Sequence, residues 1–464
     1  MRVPLEYGDE KMFADLPDDT FVMGPRKANG SPPDAEKTIK DALEKPFGSN
    51  RIRDLVRQGS KVLIAFPDKV KGGRFHRRLS IPIILNELKR SGVSYSDVTF
   101  MCINGLHRMN PREEMIDYLG EEVVNTFWPQ RLICHDAEDR ERMVHLGTSE
   151  LHDPVETEKI VIESDLVILL GHALPNHLGG FSGGYKGLVT GTGSWKSIAA
   201  HHSHKTIRNP DLLPVSPYST MRKQFNAQGR VIEKAARGKI FSLDAVLNLN
   251  HEIIAEFGGS IAAVQEKSWP VAKKTHTVTL PSKFDIVVVG FPRTFHYGPG
   301  TGTNPILILN ALGGLTARLY SCLKEKVVLI AASTCDWFND EYFPSYREVY
   351  NAYSECCDIS ELDNYHEEIA TNSDYISKYR FRFAYHPFHP FAGMYYGEIA
   401  YRHTSEIFIV GSKEPGIARA MGFTPFREFA PAFLEAKRIV GNNPRILALP
   451  SYFLQITPLF EFAG

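Results

Sequence analysis

Lys61-Val-Leu-Ile-Ala-Phe66 is a continuous apolar run after its first residue, and Pro67-Asp68 ends it. Such a run, without alternating polar residues, is typical of a strand buried on both faces of a parallel sheet. The stretch 80–91 follows with apolar residues at helical spacing. Because a buried strand followed by a helix is the repeating unit of an open sheet with right-handed crossovers, this stretch predicts the α/β class.

The same alternation recurs in two series along the chain. The first series continues with predicted strands at 98–103 and 166–170 and a predicted helix at 111–119. The second series begins with Phe284-Asp-Ile-Val-Val-Val-Gly290. Its further predicted strands lie at 327–331, 406–410 and 445–449.

The two series predict two α/β domains with mainly parallel sheets. The stretch 259–283 changes character, so we expect an N-terminal domain over 1–265, a linker over 266–283 and a C-terminal domain over 284–464. Ligand sites favour domain interfaces and the carboxyl ends of parallel strands. We therefore expect the active site in the cleft between the two domains.

Composition excludes several classes of partner. The formal net charge of the 464 residues is −1, so no basic surface for nucleic acid or an anionic membrane is indicated. No apolar run approaches the length of a membrane span, and the first residues lack a signal-peptide core. Six scattered cysteines show no zinc-site spacing. We expect a cytoplasmic protein with a small-molecule substrate and with neither a nucleic-acid nor a membrane partner.

The most informative motif is His177-Leu-Gly-Gly-Phe-Ser-Gly-Gly-Tyr-Lys186, with His201 and His202 after it. Glycines adopt conformations that other residues resist, so the backbone around Ser182, Gly183 and Gly184 can approach a ligand closely. Lysine is a common point of covalent attachment when its surroundings lower its pKa. Imidazole is a preferred ligand for nickel, copper and zinc. This combination indicates a cofactor site.

The segment Gly180–Lys186, His202 sixteen positions later, and Gly105-Leu-His107-Arg108 resemble the nickel-pincer-nucleotide-dependent lactate racemase family. The resemblance covers most of the chain and is strongest between Pro4 and Gly258. It implies nickel bound by a pyridinium-3-thioamide-5-thiocarboxylic acid mononucleotide, which is covalently attached to Lys186 and supplied by cofactor biosynthesis enzymes. His202 matches the nickel ligand, and His201 is the alternative if the register is shifted by one. Candidate cofactor-binding residues are Lys186, Asp68, Arg108, Ser182, Gly183 and Gly184.

The resemblance also implies two catalytic histidines, one on each side of the substrate. His107 follows the strand at 98–103, and an imidazole titrating near neutrality can take a hydroxyl proton and return it. For the second histidine, the family register falls on Asn176, which cannot act as a base. His177, displaced by one residue, is the first candidate, and His172 is the alternative.

Two departures from the family concern the substrate. Lys71 stands where the family has an arginine that helps hold the substrate carboxylate, and it lacks the planar fork of arginine. The family's Gln-x-x-Lys is absent, because Leu307 and Asn310 occupy that register. Longer polar loops occur instead. The candidate substrate-binding residues are Lys71, His296, Asn304, His386 and His389.

The sequence therefore predicts an isomerase, a racemase or epimerase that inverts C2 of a 2-hydroxy acid by proton-coupled hydride transfer to the cofactor. Its substrate is expected to be larger and more polar than lactate, since polar groups in a pocket reject ligands that leave them unpaired. The alternatives are a sugar-acid (aldonate) 2-epimerase, a lactate racemase proper, and a nickel or cofactor carrier without turnover.

Overall fold

Two mainly parallel sheets organise the computed structural model, which describes residues 1–28, 31–336 and 338–464. The strands are β1 (Arg2–Gly8), β2 (Glu10–Asp15), β3 (Phe21–Val22), β4 (Val62–Phe66), β5 (Val98–Cys102), β6 (Leu132–Cys134), β7 (Met143–Thr148), β8 (Pro154–Glu158), β9 (Leu166–His172), β10 (Pro175–Asn176), β11 (Gly180–Phe181), β12 (Ile240–Leu247), β13 (Ile253–Gly259), β14 (Thr277–Leu280), β15 (Phe284–Pro292), β16 (Thr294–Phe295), β17 (Gly298–Pro299), β18 (Leu323–Ala332), β19 (Glu406–Val410), β20 (Thr424–Phe426), β21 (Ile446–Leu449) and β22 (Leu459–Phe462).

Helices connect most of these strands. They are α1 (Ala35–Glu44), α2 (Ile52–Leu55), α3 (Arg74–Arg90), α4 (Arg112–Leu119), α5 (Glu121–Phe127), α6 (Lys159–Glu163), α7 (Gly184–Thr192), α8 (Trp195–His201), α9 (His204–Ile207), α10 (Thr220–Ala235), α11 (Ile261–His276), α12 (Pro305–Leu319), α13 (Tyr346–Cys356), α14 (His366–Ala370), α15 (Ser373–Phe381), α16 (His389–His403), α17 (Pro415–Ala420) and α18 (Phe429–Val440). None of the described helices is both long and apolar enough to cross a bilayer.

The first sheet has the strand order β13-β12-β9-β4-β5-β6. All pairs are parallel except β12–β13, which is antiparallel. Every residue of β4 is buried, as the apolar run predicts for a strand covered on both faces. The second sheet places β15 beside β18 and β21, continues to β19 and β20, and is again mainly parallel. The predicted α/β class with mainly parallel sheets is confirmed.

The first residues of the chain belong to the second sheet. β1 pairs in parallel with β15, and β3 pairs in parallel with β21. Val3 and Leu5 are buried in one apolar cluster with residues of β15 and β18. Burial of these apolar side chains holds the first strands against the C-terminal part of the chain, and the expected N-terminal domain over 1–265 stays a prediction.

The expected linker over 266–283 is regular structure. Helix α11 runs to His276 and packs on β12 and β13, and β14 pairs with β22. Its apolar residues Ile261, Val264 and Ala272 are buried, although Pro270 interrupts the helical pattern in sequence. Connections of this kind are not free hinges, so the division into domains at these boundaries stays a prediction.

Helix α12 is almost completely buried. All of its residues except Ala311 are buried, and it packs along α16, which is also mostly buried. Apolar residues around all sides of a helix are typical of burial on all sides. Through Gly314 and Arg318, helix α12 contacts the segment 175–177, which follows β9.

Candidate active site

The predicted site residues lie where the parallel strands of the first sheet end. Asp68 and Lys71 follow β4, His107 follows β5, and His172 is the last residue of β9. The carboxyl ends of parallel strands meet at one edge of a sheet, which is the usual place for a ligand in an open α/β fold.

The glycine-rich turn is built around a buried carboxylate. Gly183 and Gly184 have positive φ angles of 76° and 53°, and the amide of Gly184 donates to Asp244 Oδ2 at 3.1 Å. A Cβ at Gly183 would collide with that carboxylate, and a Cβ at Gly184 would collide with Gln265. Ser182 Oγ donates to the His172 carbonyl at 2.7 Å and so closes the turn. Burial, reinforced by the charge of Glu256, raises the pKa of Asp244 to about 7.

Lys186 lies in the first turn of α7 directly after these glycines. Its side chain is only 6% exposed, and its Nζ lies 5.6 Å from the centre of the Phe225 ring. Burial, together with the positive charges of Lys71 and Arg222, holds the pKa of Lys186 well below its usual range. A neutral amine is the nucleophilic form of lysine, so the surroundings favour covalent chemistry at Nζ.

His201 and His202 are paired with each other. Their Nδ1 atoms are 2.6 Å apart, so one imidazole donates to the other. His201 is fully buried, whereas His202 is half-buried and its ring lies 5.9 Å from that of Tyr396. Burial and the charge of Lys186 lower the pKa of His202 to about 3, which keeps it neutral as a metal ligand must be.

His107 forms a dyad with Asp68. Its Nδ1 lies 2.7 Å from Asp68 Oδ2, and the backbone amide of His107 donates to the Asn104 carbonyl. Burial lowers the pKa of His107, and the Asp68 carboxylate offsets part of that shift. The ring is also surrounded by Tyr297 and His389 at 5.6 and 5.5 Å between centroids. Segments after both sheets therefore enclose this imidazole.

The two candidates for the second histidine have different surroundings. His177 lies against Gly314 of α12, and its ring meets Tyr396 edge-on at 5.6 Å. His172 is buried, and its Nδ1 lies 3.2 Å from Arg77 Nη2. Burial lowers the pKa of both imidazoles well below the usual value, and the charge of Lys186 contributes at His177 but is not among the causes for His172. Both rings line one cavity, and His172 also borders the small space beside Lys186.

A cavity of about 350 Å³ lies beside these groups. Segments from both parts of the chain line it, including His172, His177, Lys71, His296 and Tyr297. Its lining also includes Arg318 of α12 and the segment 452–457. Within the described part of the chain, this lining contains one lysine, one arginine and no carboxylate, so the cavity suits an anion. A second space of about 50 Å³ is bordered by Lys71, Lys186 and the glycine turn.

Four other predicted site residues, Arg108, Asn304, His386 and His389, are not among the residues that line the larger cavity. Arg108 donates to Glu114 Oε1 at 2.6 Å and lies over the ring of Tyr342. Asn304 is the N-cap of α12, where its Oδ1 accepts from the amides of Ile306 and Leu307. His386 is fully buried and pairs with Glu138 at 2.7 Å.

None of these three borders the cavity as described, so a substrate contact of Asn304 or His386 is not supported by its position. His389 does not line the cavity either, but its ring lies 5.5 Å from that of His107, and its Nδ1 bonds to the Tyr346 hydroxyl at 2.5 Å.

Sequence reasoning missed Asp244 and Arg318. Asp244 is in the middle of β12, a strand that the sequence patterns did not single out, and Arg318 is far along a helix of mostly apolar residues. A buried acidic residue within an apolar strand is the signal that could have pointed to Asp244, because carboxylates are almost never buried without a partner.

Comparisons with known proteins agree with this architecture. The family model described as the lactate racemase N-terminal domain matches residues 7–212. The lactate racemase of Thermoanaerobacterium thermosaccharolyticum is 25% identical over 455 residues, which are 97% of each chain. The lactate racemase of Lactiplantibacillus plantarum is 26% identical over 244 residues, covering 52% of this chain and 55% of that protein.

Two solved structures share the fold. The lactate racemase apoprotein from Thermoanaerobacterium thermosaccharolyticum superimposes with a TM-score of 0.72 at 22% identity, and all of both chains is covered. A protein from Thermotoga maritima superimposes with a TM-score of 0.61 at 15% identity, covering 93% of this chain and 99% of that chain.

Proposed function

Because the chain belongs to the lactate racemase family, we propose that it inverts C2 of a 2-hydroxy acid that is larger and more polar than lactate. The observation that carries this proposal is that His177, Lys71 and Tyr297 line one cavity, and that the ring of His107 lies 5.6 Å from the ring of Tyr297. Burial lowers the pKa of both His107 and His177, and the charges of Lys186 and Lys71 add to the shift. Two neutral imidazoles on either side of one anion site are what inversion in both directions requires.

The residues around Lys186 fit a covalently held nickel-pincer nucleotide. Lys186 offers a buried amine beside a space that the glycine turn keeps clear of side chains. His202 would hold the nickel, with His201 fixing its tautomer through the bond between their Nδ1 atoms. No group of three or more described His, Cys, Asp or Glu side chains is arranged to hold a metal ion alone, so other donors would come from the nucleotide. When bound, that group would supply a hydride acceptor for the C2 hydrogen.

His107 is suited to take the proton of the C2 hydroxyl. Its Nδ1 is engaged with Asp68, so the Nε2 atom is the one left to accept. Asp68 fixes the tautomer and stabilises the imidazolium that forms. In the opposite direction His107 returns the proton to the oxygen of the transient 2-oxo acid.

His177 is proposed as the base for the opposite hand. It lines the cavity from the side of α12, and Lys186 acts on its pKa. His172 also lines the cavity, but the contact with Arg77 occupies its Nδ1. Lys71, half-buried at the rim, would hold the substrate carboxylate.

The polar lining favours a hydroxylated substrate over lactate. Tyr297, Asn310 and Thr301 line the cavity together with Thr457. Thr301 already donates to the Gly298 carbonyl, and a methyl tail would offer the remaining groups no partner, at a cost of about 1–3 kcal/mol for each one left unpaired. This observation favours the sugar-acid 2-epimerase as the second candidate function.

The test is a substrate panel with protein produced together with the cofactor biosynthesis enzymes. Single C2 stereoisomers of lactate, of longer 2-hydroxy acids and of aldonic acids are incubated with the protein and with Lys186→Ala, and the C2 configuration is followed by chiral chromatography. We expect higher kcat/KM for the longer hydroxylated acids. Lactate as the best substrate would identify a lactate racemase proper, and an intact adduct without turnover would identify a carrier.

Isotope retention tests the hydride route. Substrate carrying deuterium at C2 should keep its label through inversion in ordinary water, because hydride does not exchange with solvent. Loss of the label to solvent would show direct proton abstraction at C2 and would contradict this part of the proposal.

A further inference from the structure

Arg318 is a buried cation without an acidic partner. It is 7% exposed, it lines the cavity, and within the described residues no carboxylate lies in ion-pair distance of its guanidinium. Its Nη2 donates to the Pro175 carbonyl at 3.0 Å and its Nη1 donates to the Pro458 carbonyl at 3.4 Å. Two carbonyls satisfy part of a group that carries five donors. A buried charge of this kind is costly unless a ligand completes it.

The surroundings of Arg318 contain a second unsatisfied group. Tyr452 lines the same part of the cavity, and its buried hydroxyl has no hydrogen-bond partner among the described residues. Thr457 lines the cavity beside it. A guanidinium and two hydroxyls form a donor set that matches the two oxygens of a carboxylate.

Arg318 and Lys71 are separate cations of one cavity. Lys71 follows β4 at the strand ends of the first sheet, whereas Arg318 is in the last turn of α12 and contacts the segment before His177 and the segment after Tyr452. Both cations line the same cavity, and His177 lines it as well. A carboxylate held by Lys71 would therefore leave Arg318 facing the far end of the substrate.

We propose that Arg318, with Tyr452, binds a second carboxylate at the end of the substrate remote from C2, so that the enzyme acts on a 2-hydroxy dicarboxylic acid. This inference rests on the proposed function and narrows its substrate class. The bidentate fork of arginine recognises a carboxylate in one orientation and thereby selects diacids over monoacids of equal length. Arg318 is thus a specificity-determining residue.

The experiment compares acids that differ only in the terminal group. Malate, 2-hydroxyglutarate and 2-hydroxyadipate are matched with 2-hydroxybutanoate, 2-hydroxypentanoate and 2-hydroxyhexanoate. We expect the cofactor-loaded enzyme to have a higher kcat/KM for at least one diacid than for the monoacid of equal length. Arg318→Gln should lower kcat/KM for that diacid by about 10- to 100-fold and change the value for the monoacid by less than about threefold. Tyr452→Phe should lower the same preference by a smaller factor.

A structural role of Arg318 predicts a different result. If the guanidinium only ties Pro175 to Pro458, Arg318→Gln lowers the values for diacid and monoacid equally, and the inference is wrong. The same equal loss would result if Arg318 held the C1 carboxylate. A preference of the wild-type enzyme for the monoacid would also overturn the inference. If Arg318→Gln does not fold, Tyr452→Phe provides a second variant for the comparison of diacid and monoacid.

Binding measurements on the full-length protein test the anion subsite independently of the proposed racemase activity. Calorimetry with 2-oxoglutarate and 2-oxopentanoate should show tighter binding of the diacid, lost in Arg318→Gln. Binding of this kind without any inversion would contradict the proposed function and support the anion subsite. Inversion of monoacids without discrimination dependent on Arg318 would support the proposed function and contradict the subsite, and absence of diacid binding would also contradict the subsite.

Discussion

Lys186 is predicted to be the only attachment point of the cofactor. Its pKa is held well below the usual range by burial and by neighbouring cations, so the amine is nucleophilic near neutral pH. Lys186→Ala should lack the adduct in intact mass after coexpression with the biosynthesis enzymes. Lys196→Ala, which changes a half-exposed lysine on the next helix, should keep it. Without cofactor, Lys186 should also be acylated faster than Lys196 at neutral pH, and an adduct retained by Lys186→Ala would contradict the assignment.

The dyad of His107 and Asp68 predicts a shift in the pH profile. Burial and the charges of Lys71 and Lys186 lower the pKa of His107, and Asp68 is the group that raises it. Removing that carboxylate in Asp68→Asn lowers the pKa further. Because the neutral imidazole is the active base, the acid limb of kcat/KM should move to lower pH while the maximal rate falls about 10- to 100-fold.

Tyr297, Tyr385 and His389 also face the ring, but their contacts are unchanged by this substitution. A limb that moves to higher pH, or an unchanged rate, would show that Asp68 does not act through His107.

The second histidine can be assigned by a pair of variants. His177→Ala should lower turnover by about 100-fold or more in at least one direction, as loss of an acid–base group does. His172→Ala should have a smaller effect, because the contact with Arg77 occupies the Nδ1 atom of His172. The reverse order of the two effects, measured with each stereoisomer separately, would move the role to His172.

Among the site residues, those that stand in a continuous motif could be predicted from the sequence. Lys186 and its glycines stand within one short segment, and His107 follows a recognisable strand. Asp244 and Arg318 join the site from distant parts of the chain, so no spacing rule connects them to it. Asn304 was predicted from its polarity alone, and helix capping uses the same polarity.

The glycine-rich turn, as an element, depends on the protonation of Asp244. In the folded protein the pKa of this carboxyl is about 7, whereas its ordinary value is 3.8. The contribution of Asp244 to stability is therefore present at low pH and is lost as pH rises through about 7. The shift corresponds to a loss of at most ~4 kcal/mol.

Asp244→Asn removes this titration and keeps an oxygen for the Gly184 amide. Urea unfolding at pH 5 and pH 8 should give a smaller difference in unfolding free energy for Asp244→Asn than for the wild type. Glu256 and Arg77, which also act on the pKa of Asp244, remain in both proteins. Parallel pH dependences of the two proteins would contradict the prediction.

Most elements that carry the site could be predicted, and their boundaries follow from burial. The predicted strand at 406–410 is β19, and the run at 61–66 is β4 after its first residue. Helix α11 was not predicted because Pro270 and several lysines weaken its pattern, while contacts with β12 and β13 stabilise it. Tertiary packing of this kind is not visible in a local window of sequence.

Across the whole molecule, the two ends of the chain are joined in one sheet. Leu5 of β1 is fully buried among residues of β15 and β18, whereas Phe13 of β2 is half exposed. Leu5→Ala should lower the unfolding free energy by about 2–5 kcal/mol, and Phe13→Ala should change it by much less. Denaturant titration of both variants is the measurement. Equal effects would show that β1 does not support the second sheet.

The pairing of β1 with β15 and of β3 with β21 also sets an order for the synthesis of the chain on the ribosome. The first strands leave the ribosome more than 250 residues before their partner β15 and more than 400 residues before β21. During that interval the segments of the first sheet are complete and can fold. The N-terminal strands β1 and β3 still lack their partner strands, so their backbone groups on that side are unpaired. A nascent chain with the residues up to 283 outside the ribosome would therefore hold a folded first sheet and an N-terminus still accessible to a protease or a chaperone.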